Sequence, residues 1–186
     1  MPKGLLRDAG GVPWVERAAG RLVQGGCRPV IVVVGARAAE VAALVPPGVV
    51  PPRDVVEAVG WPEGMGASLR AGLVALATRT PAPDAVLVGL VDMPGTTVDV
   101  VRRMVAAAEV GPSVLARAAF DGVPGHPVLL GRDHWAGARA AASGDAGARG
   151  YLQARAVHLV ECGDVGSGAD IDTRAALVAV PPIVGP

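Results

Sequence analysis

Five consecutive apolar residues, Val30-Ile31-Val32-Val33-Val34, constrain this chain more than any other feature. A strand with one wet face alternates apolar and polar side chains, so an unbroken β-branched run predicts a strand covered on both faces. Parallel sheets with helices on either side provide that environment. A second run, Ala85 to Val91, has the same character and stops at Asp92-Met93-Pro94-Gly95. Two such strands with helical spacing between them predict an α/β fold of Rossmann-like type, with a mostly parallel sheet.

The remaining elements are set by periodicity and punctuation. Helices are expected over Trp14–Gln24, Ala38–Leu44, Ala67–Ala77 and Thr97–Glu109, and over Arg132–Ala154 with a break at Ser143-Gly144-Asp145. A closing helix is expected over Thr173–Val180. The first strand is expected over Pro29–Val34, a shorter one over Asp54–Ala58 and a last one over Val157–Glu161. Ser113–Arg117 and Val128–Leu130 flank the turn-like Phe120-Asp121-Gly122, which predicts a small β-hairpin laid against the sheet edge. No repeat or linker divides the chain, so residues 1–180 are expected to form one domain, followed by a Pro-rich tail over 181–186.

Charge narrows the function classes. Seventeen basic residues balance seventeen acidic ones, so no global field would gather nucleic acid or an anionic membrane. Hydrophobic residues are 51% of the 186, but Gly, Pro, Asp and Arg interrupt them too often for a membrane span. Cys27 and Cys162 have no metal-like spacing, and the N-terminus lacks a signal-peptide pattern, so a cytoplasmic location is expected. A small-molecule site is favoured, with no nucleic-acid or membrane partner.

In open parallel sheets, ligands bind beyond the carboxyl ends of the strands. Asp92 stands there, as a hard oxygen ligand suited to Mg²⁺ and its accompanying phosphates, or equally as a turn or capping residue. Asp170-Ile171-Asp172-Thr173 is a second acidic site, for which helix capping is the simpler reading taken alone. Glu63-Gly64-Met65-Gly66-Ala67-Ser68 delivers a glycine-rich backbone into a helix, a place that attracts anions, although a plain turn with a Ser cap has the same spacing. His126, between Gly125 and Pro127, reads either as a turn residue or as a ligand. Arg149 could grip a phosphate with both prongs of its guanidinium or lie exposed on a helix.

Taken in order, these pieces resemble the molybdenum cofactor cytidylyltransferase branch of the nucleotidyltransferases. The resemblance rests on Pro2-Lys3-Gly4-Leu5-Leu6, Glu63 through Leu73, Val91-Asp92-Met93-Pro94, Gly125-His126-Pro127-Val128-Leu129, Ser143 through Arg149, and Asp170 through Thr173. It implies a nucleotide-diphospho-sugar-transferase-like fold in which Lys3 contacts the nucleotide phosphates and Asp92 acts with it in catalysis. Gly64, Gly66 and Ser68 would hold the base and ribose side, Asp92 and Asp172 would hold Mg²⁺, and His126 and Arg149 would face a pterin substrate. The implied reaction joins CTP to the terminal phosphate of the molybdopterin cofactor and releases pyrophosphate. A molybdoenzyme or its chaperone would be the partner receiving the product.

The chain departs from the pattern at its start. Family members carry a buried strand and a Gly-rich loop before the Pro-Lys pair, and here Met1 directly precedes Pro2-Lys3. A central strand with about five buried apolar side chains contributes on the order of 7–15 kcal/mol. The chain from Met1 is therefore expected to be weak or inactive, and Met1 is expected to be an internal methionine of a longer product. Ala58-Val59-Gly60 also stands where the family tends to have Asn-Pro-Asp. The alternatives are a transferase using GTP, with Pro2 leaning slightly toward the cytidine branch, one acting on another phosphate acceptor, or a nucleotide-binding remnant without turnover.

Overall fold

The computed structural model describes residues 1–107 and 109–170. The expected closing helix over Thr173–Val180, together with Asp172 and the Pro-rich tail, lies outside the described residues. Helix α1 (Trp14–Gln24) leads to β1 (Val32–Val34), α2 (Ala38–Ala42), β2 (Val55–Glu57) and α3 (Met65–Ala77). Then come β3 (Ala85–Val88), α4 (Val98–Ala107), β4 (Leu115–Phe120), β5 (Val123–Gly131), α5 (Arg132–Ala141), α6 (Arg149–Gln153) and β6 (His158–Glu161). The α/β class with helices on both faces stands, and the predicted order of elements holds throughout the described chain.

The strands form two sheets. β1 and β2 pair in parallel, and a four-stranded sheet runs β3-β5-β4-β6, with β4 and β6 parallel and the other two pairings antiparallel. The predicted hairpin is real, but it does not lie against the edge. It sits inside the second sheet, β5 pairing with β3 and β4 with β6. Both strands are apolar at almost every position, which equips them for two neighbours and two covered faces. Asp121 and Gly122 both have positive φ, 52° and 75°, the paired left-handed conformation whose twist matches a tight hairpin.

Three buried clusters fill the layers. Leu73 and Leu76 of α3 pack with Leu115, Val128, Leu130, Trp135, Tyr151 and Leu152 on one face of the larger sheet. Val100 and Met104 of α4 cover the other face with Ala116, Ala118, Leu129 and Val160. Val15, Ala19, Val34, Val41 and Val50 form the third cluster, around the smaller sheet. Gly25 closes α1 against α4, where a β-carbon would come within 2.2 Å of Val101 Cγ1.

Full two-sided burial of the first two apolar runs is realised only in part. Val30 and Val34 are buried, but Ile31, Val32, Val33 and all four residues of β3 are only half-buried. Among the described residues, β1 pairs with β2 alone and β3 with β5 alone, so each keeps one edge without a ladder.

Helix α3 spans the two sheets, packing on β1 and β2 as well as on α5. Leu73 lies at its centre with 1% exposure. Leu73→Ala is expected to lower unfolding free energy by about 2–5 kcal/mol. Urea titration followed by far-UV circular dichroism checks this, with a shifted midpoint and an unchanged slope.

Candidate functional site

The larger sheet ends in the residues that carry charge. β3 leaves its ladder at Val88, opposite Val128. Beyond it β5 enters the irregular stretch Gly125-His126-Pro127, and Gly89-Leu90-Val91 run on past the ladder to bring Asp92 out at the strand's end. Lys3, in a short 3-10 helix over Lys3–Leu5 that packs on α1 and α2, places Nζ 2.7 Å from Asp92 Oδ2. The two side chains are 33% and 21% exposed, so the pair is partly shielded from water yet reachable by a ligand. The expected catalytic pair is thus brought together across the fold.

His126 lies in a register shift of the β4–β5 ladder. Arg117 pairs with Val128 and Ala119 with Pro124, which leaves Gly125-His126-Pro127 on β5 against Ala118 alone on β4. Bulges of this kind redirect a side chain. Burial pushes the His126 imidazole below its ordinary value. The cations of Arg117 and Arg149 push the same way, and the Asp92 carboxylate opposes them. His126, Asp92, Arg117 and Arg149 therefore share one electrostatic neighbourhood.

The glycines of the Glu63–Ser68 segment have a packing role. Gly64, at φ 112°, has the Gly144 backbone carbon 2.5 Å from where a β-carbon would stand. At Gly66 the nearest atom is the Ser143 nitrogen, 2.8 Å away. The start of α3 thus lies directly on the turn at Gly144–Ala146 that precedes Arg149. Arg70 fastens the contact, donating to Ala142 O at 2.7 Å and pairing with Glu63. Helix α3 starts at Met65 after Gly64, so Ser68 is half-buried within its first turns and is not its cap.

Of the two expected metal ligands, Asp92 lies among the described residues and Asp172 outside them. Ser167 N donates to Gly95 O at 3.1 Å, and Thr97 Oγ1 donates to Val165 O at 2.8 Å. These bonds lay the segment before Asp170 along the loop after Asp92. Among the described residues no group of three or more metal-ligating side chains forms. Asp92 supplies a hard carboxylate, and Mg²⁺ needs only one or two carboxylates when substrate phosphates complete its shell. The donor chemistry fits such an ion.

Arg117 is the site residue that the sequence reading missed. Its signal was available: one arginine within the otherwise apolar run Leu115-Ala116-Arg117-Ala118-Ala119-Phe120. A charge on a strand buried on both faces calls for a reason.

This geometry generates two expectations. Gly64→Ala meets backbone on the far side and a disfavoured φ, so it should destabilise the fold by about 1–3 kcal/mol, read as a lower thermal midpoint. The His126 imidazole is held below the ordinary 6.5, so the unfolded chain takes up its proton at a higher pH than the folded one does. Its contribution to stability is complete above that value and shrinks as pH falls below it. Urea titrations at about pH 7.5 and about pH 5.5 should show a loss at the lower pH that His126→Asn reduces.

The comparisons with known proteins agree with this layout. Residues 1–160 match the family model described as the MobA-like NTP transferase domain. The nicotine blue oxidoreductase of Paenarthrobacter nicotinovorans is 34% identical over 181 residues, covering 92% of this chain and 84% of that protein. The crystal structure of Rv0371c from Mycobacterium tuberculosis H37Rv superimposes with a TM-score of 0.65 at 27% identity, over 87% of this chain and 79% of that one. Its complex with manganese matches with the same TM-score at 26% identity, over 86% and 81% of the two chains. A nucleotidyl transferase from a Methanothermobacter species shares the fold, with a TM-score of 0.67 at 23% identity over 86% and 74% of the chains. With its strand-end carboxylate, its lysine and a family match across most of its length, this chain belongs to the MobA-like NTP transferase domain family and is a nucleotidyltransferase.

Proposed function

We propose that the protein transfers a cytidylyl group from CTP to the terminal phosphate of a molybdopterin-type cofactor, with Mg²⁺ and with release of pyrophosphate. The observation that carries this reading is the Lys3–Asp92 pair at the end of β3, whose carboxylate acts on His126 together with Arg117 and Arg149. An acceptor phosphate oxygen forms a bond to the α-phosphorus while the bond to the β-phosphate oxygen breaks, and pyrophosphate leaves. Lys3 meets the charge of the nucleotide phosphates. Asp92, with Asp172 as the second carboxylate, would hold the metal ion, which would supply charge neutralisation on the triphosphate. Gly64, Gly66 and Ser68 line the base and ribose side, and His126 and Arg149 face the acceptor. Such a reaction depends on positioning and electrostatics, which suits a site with no nucleophile and base pair. The family match and a manganese complex of a relative support the coarser part of the reading. Pro2 before Lys3 favours CTP over GTP. The product would pass to a molybdoenzyme or its chaperone in the cytoplasm.

One observation favours a second reading. The relative at 34% identity is named for an oxidoreductase reaction, so hydride transfer to a dye-like acceptor is the competing chemistry. A pyrophosphate-release assay with Mg²⁺, CTP or GTP and molybdopterin cofactor separates the two, run beside an assay of nicotinamide-cofactor oxidation with a quinonoid dye. With the family's Gly-rich loop supplied ahead of Pro2-Lys3, we expect pyrophosphate release with CTP preferred, and a loss of at least about 10²-fold in Asp92→Ala with its fold retained. Dye-dependent oxidation without pyrophosphate release would replace the transferase reading. Neither activity from a folded protein would leave a nucleotide-binding remnant.

A further inference from the structure

Arg117 has no part in the reaction as described above, yet the fold holds it at the site. It stands opposite Val128 on β4, on the sheet face that carries Leu115 and Leu130 and is covered by α3, α5 and α6. Arg149 opens α6, so the two arginines approach the same corner from the sheet and from its helical cover. Arg117 Nε donates to Gly125 O at 3.1 Å, the carbonyl just before His126. That bond fixes the guanidinium plane, and among the described residues the two terminal nitrogens have no hydrogen-bond partner.

Arg117 and Arg149 are among the seven described arginines that have no carboxylate within ion-pair distance. Eight other arginines lie within ion-pair distance of a carboxylate. Among the described residues neither Arg117 nor Arg149 does. Burial depresses the Arg117 guanidinium, and the charge of Arg149 depresses it further. Two cations held together without an anion oppose one another, and a ligand bearing two negative charges would relieve both. A planar guanidinium offers paired donors that match two phosphate oxygens.

We propose that Arg117 is a specificity-determining residue that, with Arg149 and His126, selects an acceptor bearing a terminal phosphate monoester in its doubly ionised form. The inference rests on the transferase reading above and adds to it the acceptor's charge state and the residue that reads it. Such a phosphate has its second ionisation near pH 6 and so brings its own nucleophilic oxygen at neutral pH. That oxygen forms the new bond to the α-phosphorus, pyrophosphate departs, and no proton need be removed. A neutral alcohol would need a base and would leave both arginines unanswered.

The test uses the wild-type chain, Arg117→Lys and Arg117→Ala, each checked for fold by thermal unfolding. KM for acceptor and for CTP is measured by pyrophosphate release, and affinities for inorganic phosphate and for Mg·CTP are measured by calorimetry. For Arg117→Ala we expect the acceptor KM to rise and inorganic phosphate affinity to fall by roughly tenfold or more, with CTP values nearly unchanged. Arg117→Lys should recover part of the loss, because it restores charge without the fork. An equal loss for CTP would assign Arg117 to the nucleotide phosphates and overturn the proposal, as would no change in either. If Arg117→Ala fails to fold, Arg149→Ala, on the exposed start of α6, carries the same expectation. Should no variant release pyrophosphate while phosphate affinity still falls with Arg117→Ala, the transferase reading fails and the phosphate site stands.

Discussion

The site depends on one helix lying across a divided sheet. β1 and β2 form one sheet, β3 to β6 the other, and α3 packs on both. Leu73 and Leu76 on its buried face each contribute about 1.5–3 kcal/mol by leaving water. Both ends of the helix are also fastened by charge. At its start, Arg70 ties Glu63 and the Ala142 carbonyl together. Just past its end, Arg79 pairs with Asp54, a carboxylate only 3% exposed at the entry to β2. Removing one partner of a buried pair strands the other, so this contact resists rotation of α3 relative to β2. The angle of α3 in turn fixes where the Gly144–Ala146 turn sits, and so where Arg149 begins α6.

Electrostatics at the site is local, because the net charge is zero. Without a general field to draw anions in, binding must come from cations held near one another by the fold. Lys3 and Asp92 are 89 residues apart in sequence and 2.7 Å apart in space. Their partial shielding strengthens the interaction beyond that of a surface pair, and it gives the carboxylate a neighbour that a triphosphate can attract. The His126 imidazole feels the same carboxylate together with the cations of Arg117 and Arg149.

Much of this was legible in the chain. The runs Val30–Val34 and Ala85–Val91 announced strands of an α/β sheet, and Asp92 stood out as the carboxylate directly after the second. Trp14–Gln24 was legible to the residue, because Pro13 and Gly25 bracket a strong apolar stripe. The hairpin's turn was legible too, since Asp-Gly favours positive φ. Its place in the sheet was not. An apolar hairpin looks the same in sequence whether it lies at an edge or in the middle, and only the pairing of β5 with β3 decides. The glycines at 64 and 66 were visible as a signal, but the sequence does not say what approaches them, which proves to be the backbone at 142–145. Arg117 was hidden for another reason, since a single charge inside an apolar strand belongs to no motif that marks it.

The Gly125-His126-Pro127 segment shows why fold and site cannot be separated here. The β3–β5 ladder ends with Val88 opposite Val128, where β5 turns irregular, and the chain beyond β3 runs on to Asp92. The same three residues bulge against β4, which redirects His126 and frees the Gly125 carbonyl. Arg117 Nε answers that carbonyl, and the bond that satisfies the bulge also orients the guanidinium. Phe120 closes the arrangement from the turn, its ring 3.1 Å from where a β-carbon on Gly125 would stand. A larger residue at 125 would press on Phe120 and shift the bulge, and with it Arg117 and His126 together. The motif that reads in sequence as a histidine between turn formers is therefore the joint that sets the imidazole and the guanidinium together.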